Sequence, residues 1–87
     1  MIPKIINIQY KKDYIYHIAY ADKSQGDIDF KPFLWGEAFE ELKNKAVFKK
    51  AFIDDTTGAI TWSNGSDISP ETLYQKVLAH SSQTLQL

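Results

Sequence analysis

Cysteine is missing from this 87-residue chain. Its absence excludes disulfides, thiolate chemistry and Cys-based zinc sites, and it leaves the redox compartment unmarked. Arginine is missing too, since all ten basic residues are lysines. Lysine supplies a point charge but not the guanidinium fork that reads phosphates and guanine edges in pairs of hydrogen bonds. Sequence-specific nucleic-acid binding by this chain alone is therefore not expected. The start, MIPKIINIQYKK, holds no apolar run long enough for a signal peptide or a membrane span. A cytoplasmic location without membrane attachment is the default expectation. No HExxH pattern, glycine-rich phosphate loop or Ser/His/Asp order occurs. The reading is accordingly a non-enzyme with no catalytic residues, no metal site and no cofactor.

What is present is a soluble, aromatic-rich composition. Hydrophobic residues make up 44%, charged residues 24%, and the formal net charge is −1. A chain of this size buries only about 60–65% of its extended-chain surface. Five Phe, five Tyr and two Trp supply large flat side chains with which a small core reaches a useful buried area.

The hydrophobic periodicity changes along the chain. Residues 5–11 alternate, with Ile6, Ile8 and Tyr10 on one face. After a polar break at Lys12-Asp13, Tyr14, Tyr16, Ile18 and Tyr20 share a core face, leaving His17 on the other; the two segments predict an antiparallel hairpin. ADKSQG reads as a turn ending at Gly26, and DIDFKPF as a short strand stopped by Pro32, with Ile28 and Phe30 inward. In LWGEAFEELKNK, Trp35, Phe39 and Leu42 recur at helical spacing, Asn44 is a terminator, and AVFKK suggests one more helical turn. AFIDDTTGAITWSNG predicts a second hairpin about the turn 55–58. A last helix carries Leu73, Tyr74, Val77 and Leu78. The expectation is an α+β domain over residues 1–80: a small antiparallel sheet of two hairpins plus a short strand, with two helices, in the order β-β-β-α-β-β-α. Residues 81–87 are expected as a frayed polar tail.

The densest stretch is TWSNGSDISPETLY, with Trp62, Asn64, Gly65, Asp67, Ser69, Pro70 and Tyr74 close together. Asn64-Gly65 supplies backbone angles that other residues resist, Asp67 is expected to fold its carboxylate onto nearby amides, and Ser69-Pro70 is a helix start. The stretch reads as a structural connector and needs no ligand.

Other candidates have plain alternatives. His17 has the chemistry for proton transfer, but the sequence offers no partner to orient it, and His80 has no reason to lie nearby. Asp27 and Asp29 share a strand face, short of the oxygen count and closed loop a hard metal needs. Lys43, Lys45, Lys49 and Lys50 form a basic cluster beside Phe48 and Phe52, suited to phosphates or an acidic surface, or else simply a solvated face over core phenylalanines.

The densest stretch is also where a family resemblance is strongest. Gly58, Ile60, Trp62, Asn64, Gly65, Asp67, Pro70, Leu73 and Tyr74 fit the pattern G-x-[IV]-x-W-x-N-G-x-D-x-x-P-x-x-L-Y, and Phe39, Leu42 and Phe48 fit an upstream F-x-x-L…F spacing. Over roughly residues 4–77 the chain resembles the bacterial DUF2442 family, departing in its longer ADKSQG turn. The resemblance implies a small α+β domain. Some relatives carry an added helix-turn-helix domain, for which these residues leave no room. Many look like the second member of a gene pair whose other product is a small DUF4160-family protein, in the manner of toxin–antitoxin modules. It implies no catalytic residues.

The leading expectation is thus a protein-interaction module, antitoxin-like within a two-gene pair, that covers a co-encoded DUF4160-like partner with a sheet edge or aromatic face. Such an edge would also serve homo-oligomerisation. The alternatives, in order, are a nucleic-acid-associated accessory domain using the lysine cluster, and a small enzyme centred on His17.

Overall fold

A computed structural model describes residues 2–85, with the side chains at positions 38 and 80–85 outside the description. Strands β1 (Ile5–Lys12), β2 (Ile15–Tyr20) and β3 (Gln25–Asp29) form one antiparallel meander. Two 3-10 turns (Lys31–Phe33 and Glu37–Lys43) lead to a single-turn helix α1 (Lys45–Phe48). A second meander follows, of two-residue strands β4 (Phe52–Ile53), β5 (Ile60–Thr61) and β6 (Asp67–Ile68). Helix α2 (Pro70–Leu85) closes the domain, packing across β3, while β4 lies beside β1. The α+β class holds. Its antiparallel strands are divided between two sheets, and β6 occupies what reads in the sequence as connector. The helix enters the stretch expected as a polar tail, whose last two residues lie outside the described ones.

The core face of β2 is as the alternation predicts, with Tyr16, Ile18 and Tyr20 buried. That of β1 holds at Ile8 and Tyr10, which pack against the core, and is shifted at the start of the strand. The register jumps between Ile5 and Asn7, so an extra residue, Ile6, is left facing outward at 63% exposure while Ile5 is buried in its place. A β-bulge of this kind puts two residues opposite one and breaks the period of two. Gly26 lies within β3 opposite Ile18 rather than ending the turn. A Cβ built there would stand 4.0 Å from Val77 Cγ1, so the glycine sits beneath α2.

Residues 37–43 form a 3-10 helix rather than the α-helix expected. Phe39 and Leu42 are three apart, the repeat of a 3-10 helix, and Gly36, with φ +85° and ψ 164°, prevents α-helical winding from reaching Trp35. Leu42 is buried, Phe39 is half-buried, and Trp35 is 75% exposed, so Trp35 does not join the core stripe. Asn44 both ends this segment and starts α1, its side-chain oxygen accepting from the Ala46 amide at 3.0 Å.

Helix α1 exists to place one residue. Phe48 is fully buried and its ring meets those of Tyr10, Tyr14, Tyr16, Phe30 and Trp62 at 5.1–6.2 Å between centroids. Its carbonyl accepts the Trp62 indole N–H and the Tyr16 hydroxyl, both at 2.8 Å. The last carbonyls of a helix have no partner within it; here two core aromatics supply the donors to that of Phe48. Residues of both sheets, α1 and α2 share this one core.

Candidate functional site

His17 has partners that the sequence did not reveal. On the outer face of the first sheet its Nδ1 lies 2.7 Å from Asp27 Oδ1, and its Nε2 lies 2.9 Å from Gln25 Oε1. Asp27 is directly opposite in register, and Gln25 is two residues along the same strand. A doubly protonated ring donates to both; a neutral ring donates to Asp27 and accepts from the carboxamide turned over. Either way both nitrogens are engaged, and a general base needs one free to reach substrate. The ring, 26% exposed, lies across two strands as a cross-strand tie. Asp29 shares Asp27's face but accepts from the Lys31 amide at 2.9 Å. Among the described residues no three His, Asp or Glu side chains come together to hold a metal.

The lysine cluster is split. Lys43 pairs with Glu40 at 3.2 Å, and Lys45 pairs with Asp13 at 3.2 Å while standing 5.7 Å from the Tyr14 ring centroid. The bond to Asp13 raises the Lys45 ammonium above its ordinary range. Lys49 and Lys50 remain exposed with no ion pair among the described residues. Phe48 belongs to the core, but Phe52 is largely exposed.

Most of the residues singled out in the Thr61-to-Tyr74 stretch have a structural task. Trp62 is buried and bonded to the Phe48 carbonyl. Asn64 Oδ1 accepts from the Ser66 amide at 3.0 Å, and Gly65 takes φ +91°. The side chain that folds back is thus Asn64's. Asp67 instead pairs with Thr61 in β6, because the turn is already closed by Gly65 N–H to Trp62 O and Trp62 N–H to Ser66 O, both 2.9 Å. Ser69 Oγ accepts from the Thr72 amide at 3.3 Å, and Pro70 opens the helix. The Pro70 carbonyl accepts the Tyr20 hydroxyl at 2.7 Å. Tyr74 stacks edge-on with Tyr20 at 4.9 Å and donates to Asp22 Oδ2 at 2.6 Å. That hydroxyl lowers the Asp22 pKa, and the same bond raises that of Tyr74.

The surface feature that sequence reasoning missed is the groove beside Trp35. Its volume is about 480 Å³; Phe33, Trp35, Phe39 and Ile68 form its walls, with Glu37 and Asp67 along it. Pro32 ends the first meander, Gly36 holds Trp35 off the helical path, and β6 presents Ile68 and Asp67 from the other side. The available signal was Gly36, a residue that interrupts a helical pattern and so separates Trp35 from the stripe carried by Phe39 and Leu42. A larger recess of about 560 Å³ lies between the N-terminal segment and the start of α2. Its lining includes Asp54, whose carboxylate is taken by the Thr56 and Thr57 amides of its own turn at 2.7 and 3.0 Å.

The molecule is therefore a small α+β domain of two antiparallel meanders around an aromatic core, with an exposed tryptophan above a groove. It belongs to the DUF2442 family, proteins of unknown function, whose family model matches residues 5–79. No curated protein and no solved structure matches the chain. Among the described residues no helix is long and apolar enough to cross a membrane.

Proposed function

We propose that this domain is a protein-interaction module that docks its partner on the Trp35 groove. One observation carries the reading: a tryptophan 75% exposed beside apolar walls. A tryptophan buries on the order of 150–250 Å² when fully covered, so covering the three quarters of this one that are exposed is worth roughly 3–5 kcal/mol at about 25 cal/mol/Å². Tryptophans of this kind are enriched among the residues that dominate binding energy.

The family resemblance supports a small co-encoded DUF4160-like protein as the partner, with this chain in the antitoxin-like position. On this reading the module works in the bacterial cytoplasm and acts by covering its partner's functional surface. The aromatic groove, rather than a sheet edge, is the contact.

The test is co-expression of the tagged chain with the product of the adjacent open reading frame, weighed by light scattering. A stoichiometric hetero-complex that Trp35→Ala dissolves, at unchanged melting temperature, is the expected result. A protein that stays alone, or a complex indifferent to Trp35→Ala, overturns the proposal.

A further inference from the structure

The charge along the groove identifies what it can hold. Both polar side chains with full charge that line it, Glu37 and Asp67, are carboxylates on exposed residues. Among the described residues neither has an ion-pair partner, whereas the nearby Glu40 is matched by Lys43 at 3.2 Å. The aromatic walls add to the same field, because the face of an aromatic ring is its negative side, and tryptophan attracts cations most strongly. Phe33 already has such a neighbour, with Lys76 Nζ 6.0 Å from its ring centroid. Lys31, of the preceding turn, lines a separate recess with Asp13, Tyr14 and Lys45.

Resting on the docking surface proposed above, we infer that the Trp35 groove takes a basic side chain, arginine or lysine, carried by the partner protein. The cation lies against the Trp35 ring and between the Glu37 and Asp67 carboxylates, while its aliphatic stem covers Phe39 and Ile68. Such a side chain matches both chemistries of the groove, since long basic residues keep an apolar stem and a charged head. A neutral apolar segment covers the rings but strips water from two carboxylates without pairing them, which is costly. An acidic segment or a nucleic-acid phosphate meets like charge.

The experiment uses the full chain, labelled with ¹⁵N, and three acetylated, amidated hexapeptides: all-arginine, all-glutamate and all-proline. The arginine peptide is expected to shift the Trp35 indole signal together with the Gly36, Glu37 and Ile68 amides, with weaker binding at higher salt. Trp35→Ala is expected to weaken it at least about tenfold. Glu37→Gln with Asp67→Asn is expected to weaken it roughly fivefold or more, at unchanged melting temperature. Absence of shifts in the groove, shifts confined to other acidic patches such as Asp27 and Asp29, or preference for the proline or glutamate peptide overturns the inference. If the co-encoded partner still binds in a Trp35-dependent way after such a result, only the basic specificity has failed. If Trp35→Ala changes neither interaction, the docking surface itself has failed.

Discussion

Each of the five tyrosines donates its hydroxyl to an oxygen elsewhere in the chain: Tyr10 to Asp13, Tyr14 to the Lys43 carbonyl, Tyr16 to that of Phe48, Tyr20 to that of Pro70, and Tyr74 to Asp22. Burial is the leading cause that raises the Tyr16 and Tyr20 phenols above their ordinary value of 10.0. Unfolded, these groups ionise near 10.0; folded, they hold their protons to higher pH. Their contribution to stability is therefore complete below that value and is lost as pH rises through the folded values. Thermal melts taken from pH 8 to pH 11.5 should fall steeply above about pH 10, and Tyr20→Phe should flatten that fall. A flat alkaline profile in the parent protein contradicts the assignment. At this scale the sequence revealed the alternation that buries Tyr16 and Tyr20, because strand periodicity is local. It did not reveal that His17 meets Asp27 and Gln25, because that depends on the register of β2 against β3.

Among the elements, the Asn64-Gly65 turn and the start of α2 were legible because each rests on a residue with narrow backbone or capping preferences. The 3-10 helix and the bulge in β1 were not. One is a tighter winding and the other an inserted residue, both small departures from an ideal period. The position of Ile6 or Trp35 is decided by what packs beneath the neighbouring residues. Two glycines provide a contrast. At Gly65, with φ +91°, a built Cβ meets nothing within 4 Å, so a substitution there is strained by backbone conformation alone. Gly65→Val should cost at least about 1 kcal/mol. At Gly26 the new Cβ makes an ordinary contact with Val77 at 4.0 Å. Gly26→Ala should stabilise by roughly 0.5 kcal/mol, through a less free unfolded chain. Urea titrations of the two variants give both numbers; equal effects would show that the turn does not require glycine.

For the whole molecule, each meander pairs only strands adjacent in sequence, yet neither keeps a core to itself. Tyr16 and Phe30 from the first half and Ile60 and Trp62 from the second belong to one cluster, joined at Phe48. The domain should therefore unfold as a single unit. Melts followed by near-ultraviolet and far-ultraviolet circular dichroism should coincide; separate transitions would mean that one meander survives the other. The α+β class could be read from the sequence because period and turn chemistry set it. The groove could not, because Phe33, Trp35, Phe39 and Ile68 come from segments that only the finished fold brings together.

The two tryptophans occupy opposite environments, Trp62 at 1% exposure inside the aromatic cluster and Trp35 at 75% on the surface. The intrinsic emission of the chain accordingly has two sources, a blue-shifted one shielded from iodide and a red-shifted one open to it. A single unlabelled sample thus reports separately on the integrity of its interior and on anything that covers the Trp35 ring.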